Sequence, residues 1–152
     1  MTASDHNSAA SLLALDFGLR RIGVATATPL TGTATPLTTV AARDGEPDWA
    51  QLDALISDWQ PELLVLGLPF NSDLSESEMT GRVRAFATQL EQRYELRVKF
   101  MDERYTSAEA EARLKQQRQS GMRNKRIKKT DVDSLAAAII AESWMRDTGN
   151  NA

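Results

Sequence analysis

Leu12-Leu13-Ala14-Leu15-Asp16-Phe17-Gly18-Leu19-Arg20-Arg21-Ile22-Gly23-Val24-Ala25 decides how the rest of the chain is read. Leu12 to Leu15 are apolar without interruption, which fits a strand buried on both faces. Asp16 ends the run, so its carboxylate is expected to leave the sheet edge. Phe17 to Arg20 form a tight turn that Gly18 permits. Arg21 to Ala27 make a second strand, in which Gly23 lets a backbone or a ligand approach closely. The Thr-rich stretch Thr31 to Thr39 follows as a third strand, and Pro36 puts it at an edge or ends it early. These three strands predict an antiparallel meander.

Further along, Asp44-Gly45 is a turn signal. Trp49, Leu52, Leu55, Ile56 and Trp59 recur at helical spacing, with Pro61 beyond them. Leu63 to Leu66 is a central buried strand, flanked by Gly67 and Pro69. Ser75 with Glu78 makes a capping box for a helix whose apolar face is Val83, Phe86, Ala87 and Leu90. Leu96, Val98 and Phe100 alternate with Arg97 and Lys99, a strand with one wet face that delivers Asp102 and Glu103. Thr106 with Glu109 opens a helix through roughly Arg118, and Gly121 breaks it. Thr130 caps a last helix through Leu135, Ile139 and Trp144. Trp49, Trp59 and Trp144 are expected in the core or against helices, leaving Tyr105 as the better base-stacking candidate. The expected fold class is α/β, a five-stranded mixed sheet with the meander on one side and parallel strands on the other, flanked by helices. Ligands of such sheets sit outside the carboxyl ends of the parallel strands.

The chain has 152 residues, which suits one domain, expected over 11–147, with a disordered leader at 1–10 and a flexible tail at 148–152. There is no cysteine, so disulfides and thiolate metal sites are excluded. No apolar run reaches the length of a membrane span, and the polar stretch Met1 to Ala10, which has no Lys or Arg, is not expected to be a signal peptide. A cytoplasmic location without membrane contact is expected. The net charge of −3 argues against nucleic acid as a partner, but its distribution argues for it. Arg113, Lys115, Arg118, Arg123, Lys125, Arg126, Lys128 and Lys129 fall in one stretch that holds no acid. Charge alone leaves two readings, a solvated face and a surface for phosphates.

Asp16, Glu103 and Asp133 are the candidate catalytic and metal-ligating residues. Each has a plain explanation when taken singly: a turn residue, a surface acid beside Arg104, and a first-turn carboxylate that complements a helix dipole. Together they are three carboxylates leaving two strand ends and one helix start. Mg²⁺ takes few protein oxygens and keeps water and phosphate for the rest. A pair of such ions roughly 4 Å apart can clamp an in-line displacement at phosphorus.

Four segments carry a family resemblance: Leu15 to Ala25, Val65-Leu66-Gly67-Leu68-Pro69-Phe70-Asn71-Ser72-Asp73, Asp102-Glu103-Arg104-Tyr105-Thr106-Ser107-Ala108-Glu109-Ala110, and Asp133-Ser134-Leu135-Ala136-Ala137. In this order they resemble the motifs of the YqgF family, described as Holliday junction resolvases or as nucleases maturing pre-16S ribosomal RNA. The resemblance implies an RNase H-like fold and a nuclease site in which Asp16, Glu103 and Asp133 hold Mg²⁺, with Mn²⁺ as a substitute. It implies Gly18 and Asn71 in loops beside the site. Arg20, Arg104, Arg123, Lys125, Arg126, Lys128 and Lys129 would then lie along the nucleic acid. The implied partner is an rRNA precursor, with the small-subunit precursor particle, or branched DNA. Three positions depart from the family pattern. Leu19 replaces a small hydroxyl residue, Leu74 replaces a glycine, and Asp131 is an extra acid near Asp133.

Two other function classes fit part of the sequence. A non-catalytic RNA-binding module would use the basic stretch alone. An ATP-using phosphotransferase would share Asp16-Phe17-Gly18 with the actin-like ATPases, but those close two such domains on a nucleotide.

Overall fold

The structure, a computed structural model, describes residues 11–71, 73–102, 112, 116 and 129–149. Its elements run β1 (Leu12–Asp16), β2 (Arg21–Thr28), β3 (Thr33–Arg43), β4 (Glu46–Pro47), α1 (Trp49–Trp59), β5 (Leu63–Leu68), α2 (Glu78–Tyr94), β6 (Arg97–Asp102) and α3 (Lys129–Gly149). One sheet has the order β4-β3-β2-β1-β5-β6. Strands β1 to β4 pair antiparallel, while β1 with β5 and β5 with β6 pair parallel. The mixed sheet is as expected except in its strand count, which is six rather than five. The added strand, β4, is two residues long, one of them Pro47, so no periodicity announces it. β3 has an outer partner only at Ala42 and Arg43, and Pro36 lies where that outer side is unpaired by any described strand.

Side-chain alternation splits the sheet into two faces. Leu13, Leu15, Ile22, Val24, Leu64, Leu66 and Val98 face α1 and α2, where they meet Leu52, Val83, Phe86 and Leu90. Leu12, Ala14, Ala27, Leu63 and Val65 face α3, where they meet Ile140, Ala141 and Met145. Ala25 meets Ala137 and Ala138 on the same side. β5 is buried along its whole length because helices cover both faces.

Three local expectations change. The cap of α2 is Ser77, not Ser75: its side chain accepts from the Thr80 N–H, while Thr80 Oγ1 accepts from the Ser77 N–H. Ser75 is instead held in the preceding loop by Asp73 and Asn71. Trp59 is 43% exposed at the end of α1, whereas Trp49 packs on Phe86 and Tyr94. α3 carries on through Gly149, so residues 148 and 149, expected in the tail, are helical. The helix expected from Thr106, together with Gly121 and Tyr105, lies outside the described residues.

A candidate metal centre at the carboxyl ends of the parallel strands

β1, β5 and β6 end at the same edge, on Asp16, Leu68 and Asp102. Asp16 shares its face with Leu12 and Ala14, the face that α3 covers. In the ladder, Asp16 stands opposite Gly23, and paired residues of such a ladder are about 5 Å apart. A Cβ on Gly23 would lie 2.0 Å from the Asp133 carbonyl oxygen and 2.9 Å from the Ser134 nitrogen. The first turn of α3 therefore rests directly on the backbone of β2, one strand from Asp16. Only glycine allows this approach. The sheet register and the missing side chain bring the Asp16 and Asp133 backbones together, although they are distant in sequence.

Arg21 lies two residues before Gly23 on the same face. Its Nε donates to Asp133 Oδ2 at 2.9 Å, and the two side chains are 36% and 25% exposed. The turn before it is tightly built. A Cβ on Gly18 would meet the Arg21 carbonyl oxygen at 2.5 Å. The Arg20 carbonyl accepts from the Ala42 N–H at 2.8 Å, and the Leu19 carbonyl from the Gly45 N–H at 2.9 Å. These bonds strap the β1–β2 turn to β3 and to the turn after it. Leu19, where the family pattern has a small hydroxyl residue, packs against the core on the α1–α2 side. An open cleft of about 350 Å³ follows, lined by Gly18, Leu19, Arg20, Arg21 and Asp133.

The β5–α2 loop leaves the same sheet edge. Asn71 Nδ2 donates to Ser75 Oγ at 2.9 Å, and the Asn71 N–H to the Ser75 carbonyl at 2.9 Å. The hydroxyl and N–H of Ser75 hold the Asp73 carboxyl below its ordinary range. Leu74, at the position where the family pattern has glycine, adopts φ +73°. The loop thus keeps a left-handed step that glycine would adopt without strain.

Of the expected site residues, Asp16, Gly18, Arg20, Asn71 and Asp133 are described, and they cluster at this edge. Glu103, Arg104, Arg123, Lys125, Arg126 and Lys128 lie outside the described residues, and Lys129 is described only as the start of α3. Among the described residues, no group of three His, Asp or Glu side chains is close enough to hold a metal ion. Asp16 and Asp133 still suit a hard divalent cation. Asp133 lines a cleft open to solvent, Asp16 stands at the neighbouring strand end, and Mg²⁺ commonly takes one or two carboxylates and keeps water and phosphate for the rest. Arg21 was not singled out from the sequence. The available signal was strand alternation, which puts Arg21 and Gly23 on the face of Asp16.

Residues 10–147 match the family described as "RuvX: Holliday junction resolvase". A protein of Marinobacter nauticus named "Putative pre-16S rRNA nuclease" is 45% identical over 136 residues, which are 90% of this chain and 92% of that one. One of the same name from Sodalis glossinidius is 46% identical over 138 residues, 91% and 95% of the two chains. Among solved structures, Thermus thermophilus RuvC in complex with a Holliday junction substrate aligns with a TM-score of 0.58 at 16% identity, covering 94% of this chain and 98% of that one. That likeness speaks to the fold, which is RNase H-like as the motifs implied. A match over nearly the whole described chain, with relatives above 40% identity, means that the chain belongs to the RuvX (YqgF) family.

Proposed function

We propose that this member of a nuclease family hydrolyses phosphodiester bonds with a divalent metal ion, Mg²⁺ or Mn²⁺, held by Asp16, Glu103 and Asp133. One observation carries the reading: the Gly23 backbone seats the first turn of α3, so Asp133 stands beside Asp16 at the carboxyl edge of the parallel strands. Two further points support it. Met101, near the end of β6 and just before Glu103 in the sequence, packs toward the α3 side of the sheet. The Ser134-Leu135-Ala136-Ala137 that follows Asp133 fits the family motif, which favours Asp133 over Asp131 as the partner of Asp16.

In this reading the carboxylates position and do not attack. A bound divalent ion supplies the charge that activates a water and stabilises the departing oxygen. Arg20, at the mouth of the cleft, and Arg104 with the basic residues 123–129 draw the phosphate backbone towards the edge. The substrate is pre-16S ribosomal RNA, after the names of the relatives, taken at its 5′ end, and the site of action is the cytoplasm. The second reading is a four-way DNA junction, favoured by the family description and by the RuvC-like fold.

The test is cleavage of labelled precursor rRNA and of a four-way DNA junction, side by side, in Mg²⁺ or Mn²⁺. The metal contribution is worth several kcal/mol, so Asp16→Asn is expected to lose on the order of 10³-fold of cutting with its melting temperature kept. EDTA is expected to stop the wild type. Undiminished cutting by purified Asp16→Asn would defeat the assignment.

A further inference from the structure

Arg21 is the side chain that Asp133 holds. Only its Nε–H makes that bond. A guanidinium carries five N–H groups in one plane. Among the described residues, no acceptor meets the N–H groups on the two terminal nitrogens of Arg21. The same side chain lines the open cleft with Arg20, so among the described residues that line it two guanidinium groups accompany the carboxylate of Asp133. Both anchors of Arg21 are closely packed. Its own carbonyl lies against Gly18, and the carbonyl of its partner Asp133 lies against Gly23.

We infer that Arg21 binds substrate. Nε is fixed on Asp133, and the terminal nitrogens receive a backbone phosphate of the bound strand. Arginine suits this role because its planar fork takes two phosphate oxygens at once. The Asp133 anchor pre-orders the fork, so less freedom is lost when the phosphate arrives. One guanidinium then ties the position of the strand to the position of a site carboxylate. An ion pair this exposed contributes little to stability by itself, so the pair is better suited to binding than to holding the fold. The inference rests on the nuclease reading above for the identity of the anion.

The experiment uses the full chain as wild type, Arg21→Gln and Arg21→Lys. Binding of a fluorescein-labelled single-stranded RNA is followed by anisotropy across a salt series, in EDTA and in Mn²⁺, and kcat and KM are measured on the cleaved substrate. Arg21→Gln is expected to weaken binding about tenfold or more and to lower the slope of log K against log salt by about 0.7. Arg21→Lys is expected to restore the slope but not kcat, because an ammonium cannot hold Asp133 and reach the phosphate together. Melting temperatures are expected to stay within a few degrees. Wild-type affinity and slope in Arg21→Gln, or a lowered melting temperature as its only change, would overturn the inference. If the wild type binds RNA through Arg21 but never cuts, the nuclease reading falls and the phosphate contact stands. If metal-dependent cutting is intact in Arg21→Gln, the contact falls and the nuclease reading stands. A wild type that binds neither this RNA nor a labelled four-way DNA junction in either medium overturns both.

Discussion

The two faces of the sheet differ most at the end where the site lies. Towards α1 and α2 the contacts are large: Leu13, Leu15, Leu66, Phe86 and Leu90, with Phe17 and Phe86 ring centroids 5.0 Å apart. Such side chains keep the helices a full layer away from the backbone. Towards α3 the large contacts Leu12, Leu63, Val65, Ile140 and Met145 are joined by small ones, Ala14, Ala25, Ala27, Ala137, Ala138 and, at the site end, Gly23 with no side chain. That face lets the helix come down onto the strand. The first face supplies apolar burial, and the second trades some of it for proximity of two acids. The acids differ in the same sense. On the α1–α2 side, Asp53 is gripped by Arg93 through two bonds of 2.8 and 2.7 Å and by the Tyr94 hydroxyl. Asp133 keeps one bond to Arg21 and an edge on the cleft.

The difference is open to a direct attack. Gly23→Ala forces a methyl group to within 2.0 Å of a main-chain oxygen, so α3 must move. Overpacking of this kind is expected to cost about 1–3 kcal/mol, read from denaturant unfolding. Cutting should fall further than the stability loss explains, since Asp133 moves with the helix. An unchanged unfolding midpoint would mean that the close approach at Gly23 is not what seats the helix.

The matching change on the other side has the opposite sign. Gly81 is inside α2, and a Cβ there meets nothing within 4 Å. Gly81→Ala is expected to stabilise by about 0.5–1 kcal/mol, seen as a raised melting temperature with cutting unaltered. The two glycines would then separate a packing role from a purely conformational cost.

The smallest effect concerns acid stability. The hydrogen bond from Arg93, then that from Tyr94, lower Asp53 from an ordinary 3.8 to about 2. A carboxyl lowered on folding stabilises above its unfolded value, and that contribution disappears as pH falls through the folded value. The melting-temperature gap between wild type and Asp53→Asn is therefore expected to be constant above pH 4 and to close between about 4 and 2. A gap that persists at pH 2 would show that packing of the group, not its charge, is what matters.

Much of the fold is written in local patterns. The run Leu12 to Leu15 reads as a doubly covered strand because it is one. Val83, Phe86, Ala87 and Leu90 read as the inner face of α2 because helical spacing makes them so. The meander followed from turns and strand lengths. The misses were short-range contests that pattern cannot decide. Ser75 and Ser77 both suit a helix start, and Asp73 captured the first. β4 is too short to have a period. At the site, Asp16 and Asp133 were legible as ends of elements and as parts of family motifs. Arg21 was not, because its partner lies 112 residues away.

The sequence by itself therefore determined which segments are strands and helices, which face of each is apolar, and that acids stand at their ends. These depend on repeats of two and 3.6 residues, which any local stretch displays. Only the tertiary structure decided that the first turn of α3 rests on Gly23, opposite Asp16, and that Arg21 joins Asp133 at the mouth of the cleft. Those facts depend on how closely two distant backbones can approach, and that is set by the volumes packed between them.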